Sequence, residues 1–134
     1  MSTRPYRELI GCLSWLALGT RPDIAYAATS LACFSNNPGQ SHWEAAKHVM
    51  RFLKGTKTWR LRLGGGESRL DAFTDADWGG DRDDRCLIGA YIVKVGSGAV
   101  SWKSKKQTCV ALSSTEAEYV ALCQVAKECE WLLE

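Results

Sequence analysis

Thr74-Asp75-Ala76-Asp77-Trp78 closes an alternating run that begins at Leu70. Further along, Ser113-Ser114-Thr115-Glu116-Ala117-Glu118-Tyr119 opens an amphipathic stretch that reaches Leu133. The first segment reads as a strand. Leu70, Ala72 and Thr74 fall on one face and Asp71, Phe73 and Asp75 on the other. The second reads as a helix from about Ser114 to Leu133. Asp75 stands at the end of the predicted strand, where its carboxylate can approach the start of that helix. Asp77 lies just beyond and either assists or caps a turn. Carboxylates converging from a strand end and a helix start are the hard oxygen ligands that Mg²⁺ prefers, and phosphoryl chemistry uses such sites.

On a helical wheel, Ala121, Leu122, Val125, Ala126, Cys129, Leu132 and Leu133 form one arc, with Glu118 near its middle. An ionised carboxylate on an apolar face is costly unless it is paired or binds a metal, or unless the helix start leaves it in reach of water. Glu116 falls on the opposite side and reads as a solvated first-turn acid favoured by the helix dipole. Asp75 and Glu118 are therefore the leading metal and catalytic candidates, with Asp77 a possible third ligand.

Working outward, Ile88–Val95 and Ala99–Lys103 read as strands joined around Gly96-Ser97-Gly98, a hairpin signal. Trp59–Leu63 reads as another short strand, and Gly64-Gly65-Gly66 as a flexible hairpin connection to Leu70. No Lys-Ser/Thr follows those glycines, which excludes a phosphate-binding loop. Asp81, Asp83 and Asp84 read as a solvated loop whose spacing is not that of an EF-hand. Upstream the pattern is helical: Tyr6 to Leu18 ending at Gly19, then a helix opened by Pro22 and Asp23, then a third. In the third, Ser41 and Glu44 have capping-box spacing, Trp43, Ala46, Val49, Met50 and Leu53 form a stripe, and Gly55 marks the stop. The expected fold is α+β, with a helical segment over residues 1–57, then three or so antiparallel strands and one helix over residues 58–134.

Composition fits an ordinary globular protein, 46% apolar and 24% charged over 134 residues. No apolar run approaches the ~20 residues of a membrane span, and the N-terminus lacks a secretory signal, so no membrane partner and an intracellular setting are expected. The six cysteines show no C-x-x-C pairing and read as buried free thiols. His42 and His48 share no helix face, which argues against zinc, and no nucleophile–base set is visible. The net charge of +2 hides a segregation. Lys47, Arg51, Lys54, Lys57, Arg60 and Arg62 stand against Glu44, and Asp71, Asp75, Asp77, Asp81, Asp83 and Asp84 against Arg82. That pattern suits a polyanion held beside a metal site, or else solvated faces. Lys103, Lys105 and Lys106 form a second basic stretch able to touch phosphates. Trp43, Trp102 and Trp131 either pack or stack on bases.

Several adjoining motifs carry a resemblance. Tyr6-Arg7-Glu8-Leu9-Ile10-Gly11, Thr20-Arg21-Pro22-Asp23-Ile24-Ala25-Tyr26-Ala27, His42-Trp43-Glu44-Ala45-Ala46-Lys47 and Leu53-Lys54-Gly55-Thr56 resemble the end of a copia-type retrotransposon reverse transcriptase. Asp75-Ala76-Asp77-Trp78-Gly79-Gly80-Asp81, Ser101-Trp102-Lys103-Ser104-Lys105-Lys106-Gln107 and Ala111-Leu112-Ser113-Ser114-Thr115-Glu116-Ala117-Glu118-Tyr119 resemble the ribonuclease H domain that follows it. The resemblance implies a mixed sheet flanked by helices and two-metal cleavage, with Mg²⁺ or Mn²⁺, of the RNA strand of RNA–DNA hybrids. It assigns Asp75 and Glu118 as metal ligands. It also implies a further strand bearing an Asp, another helix and a late acid, none of which follows Glu134. The expectation is therefore a partial domain of a larger polyprotein. Either its parent is the nuclease, or the chain is an inactive remnant that binds nucleic acid through Lys47, Arg51, Lys54, Lys103, Lys105 and Lys106.

Overall fold

A computed structural model describes residues 5–67, 69–77, 88–106 and 113–134. The chain is α+β and divides into two compact units, Met1–Arg60 and Leu61–Glu134. The first holds α1 (Tyr6–Gly19), a 3₁₀ turn (Pro22–Ile24), α2 (Ala25–Ala32) and α3 (Gln40–Gly55). The second holds β1 (Leu70–Asp77), β2 (Ile88–Val95), β3 (Gly98–Lys106) and α4 (Ser114–Leu133).

In the first unit, α1 turns Tyr6, Ile10, Leu13 and Ala17 inward at helical spacing. They pack with Ile24, Ala28 and Leu31, and with Ala46 and Val49 of α3. Leu13 is fully buried, so truncating it to Ala would cost about 2–5 kcal/mol. The buried Tyr6 hydroxyl donates to the Leu31 carbonyl at 2.9 Å, and burial pushes its pKa up. Arg7 donates to the Ser35 carbonyl at 3.0 Å and to Asn36 Oδ1 at 2.7 Å. Those bonds tie the start of α1 to the turn that follows α2.

Arg21 does the corresponding work at the other end. Its guanidinium donates to the Asp23 carboxylate, the shortest contact being 2.7 Å, and to Thr56 Oγ1 at 2.7 Å. Thr56 Oγ1 in turn donates to the Phe52 carbonyl at 2.8 Å, and the guanidinium carbon lies 5.6 Å from the Phe52 ring centre. A planar guanidinium can serve an acid, a hydroxyl and an aromatic face at once, which an ammonium cannot. The hydrogen bond from Arg21 holds the Asp23 carboxyl below its ordinary value.

Two expectations for this unit change, and one for the cysteines of both units. The cap of α3 is not Ser41: the helix starts at Gln40, and the Gly39 N–H donates to His42 Nδ1 at 2.9 Å. The His42 ring is stacked on Phe34 at 4.0 Å, so the imidazole is already positioned to cap two residues earlier. Met50 leaves the predicted stripe and is exposed, because α3 meets the core through Ala46 and Val49. Cys12, Cys33 and Cys123 are free thiols but exposed, and Cys129 is half-buried. Cys12 sits on the side of α1 away from Ile10 and Leu13. Cys86 and Cys109 lie outside the described residues.

In the second unit, β2 is central. β1 pairs with it antiparallel from Leu70 opposite Val95 to Asp77 opposite Ile88. β3 pairs on its other side from Gly98 opposite Val95 to Lys106 opposite Ile88, with an irregularity at Val93/Lys94. The predicted hairpin at Gly96-Ser97 is present, and β1 continues two residues beyond Asp75. The predicted strand at Trp59–Leu63 is absent among the described residues. The Trp59 N–H turns back to the Thr56 carbonyl at 3.0 Å, and the backbone from Arg60 to Glu67 has no ladder.

Gly64-Gly65-Gly66 is accordingly no hairpin loop. All three have positive φ, and the segment closes over the β2–β3 turn. Ser97 donates from Oγ to the Gly64 carbonyl at 2.6 Å and from its N–H to the Gly65 carbonyl at 3.0 Å. Gly96 has φ +61°, and a Cβ placed there would lie 2.5 Å from the Gly65 oxygen. One placed on Gly98 would lie 2.7 Å from the Arg62 oxygen. The turn glycines thus serve close backbone approach as well as turning.

Two expectations follow. Gly96→Ala combines a left-handed backbone with a collision against a carbonyl, and should destabilise the second unit by about 1–3 kcal/mol in urea unfolding. The Asp23 contribution to the first unit is fully present above the ordinary carboxyl value near 3.8 and is lost as pH falls through its lower folded value. Asp23→Asn should remove that segment of the acid-unfolding curve and leave the rest in place.

Candidate functional site

The position of α4 decides what the second unit can present. Ser113 caps it, its Oγ accepting the Glu116 N–H at 3.2 Å. Ala117, Ala121 and Val125, spaced by four, are the buried side chains of α4. Val93 of β2 is the fully buried side chain of the sheet. The register places Ala72, Val93 and Ser101 in one row across the sheet and Thr74, Tyr91 and Lys103 in the next. Ser101 Oγ donates to Glu128 Oε1 at 2.6 Å, which marks this as the face that α4 covers. Burial pushes the Tyr91 phenol up, opposed by its hydrogen bond with Ser101 and reinforced by the Glu128 charge.

At the first turns of α4 lies an open groove of about 480 Å³ lined by Thr74, Asp75, Thr115, Glu118, Tyr119, Ala121 and Leu122. The two acids singled out from the sequence therefore line one groove. Asp75 registers against Ala90, and its Oδ1 accepts the Ala76 N–H at 2.9 Å. Thr74, one residue earlier, donates to the Ala90 carbonyl at 3.0 Å and pins the strand at this point. Both carboxylates are exposed.

The wheel is corrected in one respect. The buried stripe of α4 is centred on Ala117, Ala121 and Val125 rather than on Glu118, and Leu122, Ala126 and Leu133 are exposed. The smallest side chains face the sheet because they allow the closest approach. Glu118, one residue from Ala117, is brought to the rim of the groove and pays no burial penalty. Glu116 is exposed in the first turn as expected. Asp77 ends β1 with its backbone opposite Ile88. Asp81, Asp83 and Asp84 lie outside the described residues. Among the described residues, no group of three or more His, Cys, Asp or Glu side chains is gathered as a metal cage.

Of the basic candidates, Lys47, Arg51 and Lys54 follow helical spacing on α3, and Lys47 pairs with Glu44 at 2.8 Å. Lys103 and Lys105 alternate on β3 and are exposed, while Lys106 is half-buried. Trp43 and Trp102 are half-buried, and Trp131 is exposed. Sequence reasoning passed over Trp59, assigned to a strand and found exposed at the end of α3. Its flanking Lys57 and Arg60 were the available signal. No described helix is long and apolar enough to cross a membrane.

An α+β chain with two acids on one groove and basic stretches in each unit is thus defined by its geometry. Comparison with known proteins adds its kinship. The chain is 46% identical over 132 residues, 98% of its length, to the Retrovirus-related Pol polyprotein from transposon TNT 1-94 of Nicotiana tabacum. It is 43% identical over 128 residues to the Pol polyprotein from transposon RE1 of Arabidopsis thaliana. It is 43% identical over 133 residues to the Secreted RxLR effector protein 161 of Plasmopara viticola, covering 94% of that protein. The chain belongs to one family with that protein, and its homologues include the Pol polyproteins of plant transposons. It spans about a tenth of the length of those polyproteins. No protein-family model matches the chain, and no solved structure matches it.

If the Ser101–Glu128 bond fixes α4 on the sheet, Ser101→Ala and Glu128→Ala should each destabilise the second unit by about 1–2 kcal/mol. A double-mutant cycle in urea should return a coupling of similar size.

Proposed function

We propose that the chain is the part of a copia-type transposon polyprotein in which the end of the reverse transcriptase, residues 1–57, passes into the ribonuclease H domain, residues 58–134. Its parent cleaves the RNA strand of RNA–DNA hybrids. The observation that carries this reading is that Asp75 and Glu118, far apart in sequence, line one groove in a chain similar to transposon Pol polyproteins over nearly its whole length. Two exposed carboxylates fit an Mg²⁺ or Mn²⁺ that keeps most of its own waters, and do not make a closed cage. Such an ion, when bound, supplies Lewis-acid polarisation of a phosphoryl oxygen and a more acidic water.

The chain's own residues do the rest. Asp75 and Glu118 furnish hard oxygen ligands from a strand and a helix whose relative position is set by the packing of α4. Asp77 is the third candidate ligand. Lys103, Lys105 and Lys106 on β3, with Lys47, Arg51 and Lys54 on α3, neutralise phosphates of the hybrid. Further ligands for a second ion would come from the remainder of the polyprotein.

A second reading, an inactive nucleic-acid-binding chain, draws on the exposed basic side chains of α3 and β3 alone, Arg51, Lys54, Lys103 and Lys105. One experiment separates the two. A labelled RNA–DNA hybrid is incubated with the chain, alone and joined to the downstream polyprotein, in Mg²⁺ or Mn²⁺. Cutting is expected in the joined form, and Asp75→Asn or Glu118→Gln should reduce it about a hundred-fold or more, since several kcal/mol of charge stabilisation is removed. Cutting that survives both substitutions overturns the site. Hybrid binding that weakens steeply with salt, without cutting in either form, establishes the second reading.

A further inference from the structure

The run from Ala45 to Gly66 contains Lys47, Arg51, Lys54, Lys57, Arg60 and Arg62 and no acid. At its centre the first unit holds a large aromatic side chain in the open. Trp59 is 62% exposed although it makes a ring contact with Phe52, centres 5.9 Å apart and planes at 88°. An indole that served packing alone would bury its faces, and this one leaves most of its surface to solvent. The residue is nevertheless held in place. Its backbone N–H donates to the Thr56 carbonyl, the Thr56 side chain is bonded to Arg21, and the Arg21 guanidinium lies over the same Phe52 ring that meets Trp59. Trp59 is thus a held, exposed π-surface with Lys57 and Arg60 as sequence neighbours. Arg51 and Lys54, one residue before and two after Phe52 in sequence, are exposed on the last turns of α3.

We infer that Trp59 is a stacking platform for an unpaired base, and that the first unit binds single-stranded nucleic acid there, with phosphates held by Lys57, Arg60, Arg51 and Lys54. Stacking on an indole needs a base free of its pair, which selects a single strand over a duplex. The uninterrupted positive run matches a phosphate backbone and would disfavour any partner surface that was not strongly acidic. The inference rests on the reading of the chain as a nucleic-acid-handling segment. It is independent of Asp75 and Glu118, because a chain that cuts nothing can still bind at Trp59.

The test uses the full chain, a short fluorescein-labelled oligo(dT) and a DNA duplex of equal length, followed by anisotropy in EDTA. Trp59→Leu removes the π-face but keeps apolar bulk against Phe52; Trp59→Phe keeps a ring. Thermal melting of each variant checks that the first unit still folds. Trp59→Leu should weaken oligo(dT) binding roughly ten-fold at constant salt, leave duplex binding within about two-fold, and leave the salt slope unchanged. Trp59→Phe should retain most of the affinity. Lys57→Gln and Arg60→Gln should each make the plot of log K against log salt shallower by about 0.7. If Trp59→Leu leaves oligo(dT) binding unchanged, or weakens single strand and duplex alike, the platform is overturned while nucleic-acid binding elsewhere on the chain stands. If the unmodified chain binds neither probe, both the platform and the broader reading fall. Affinity for an acidic homopeptide equal to that for oligo(dT), and independent of Trp59, also overturns the platform.

Discussion

Close approach between α4 and the sheet is the constraint on which the groove depends. Ala117 and Ala121 present almost no side chain, and Val125 only a short branched one, so the helix can settle over the row that contains Val93. The Ser101–Glu128 bond then fixes where along the sheet it rests. Once those contacts are made, the backbone position of Glu118 is set: it is the residue after Ala117, and it lines the same groove as Asp75. The acids share a groove because of the alanines, not through any attraction of their own. Two carboxylates on one groove repel each other, and their solvent exposure keeps that repulsion small.

The first unit is organised by a different device. Apart from Tyr6, its core is a set of small and medium side chains spaced at helical intervals, which gives no strong preference for where the chain must turn. Arg21 supplies it. One guanidinium engages the acid two residues on, the hydroxyl that caps α3 and the aromatic ring of the preceding turn. Arg7 performs a smaller version of the task at the opposite end. The same network that closes the unit also holds Phe52, and through it Trp59, so structure and candidate recognition share residues here.

The kinship adds a physical point. A chain of nearly the same extent as this one exists in the Plasmopara protein, and sequences similar to it lie within far longer transposon polyproteins. The two units each carry their own side-chain hydrogen bonds and buried side chains. That is the property a segment needs if it is to keep its local structure in different surroundings.

Much was legible in the sequence because it is local. Helical spacing marks α1 and α4, alternation marks β2, and Gly96-Ser97 marks its hairpin, since each depends on residues a few positions apart. The choice of Asp75 and Glu118 also rested on local pattern and on motif resemblance. What failed was long-range. The capping role of His42 depends on Phe34, the loss of the Trp59–Leu63 strand on Phe52 and Thr56, and the purpose of Gly64-Gly65-Gly66 on a turn thirty-odd residues away. The wheel of α4 was ambiguous because apolar residues cover more than one side of it, and only the sheet selects the alanine stripe. The sequence by itself determined the helices α1 to α4, the strands β1 to β3 and, with the motif resemblance, which acids are candidates, because those elements follow from short-range periodicity. Tertiary structure decided which face is buried and brought the acids to one groove, because both depend on how closely two surfaces can approach.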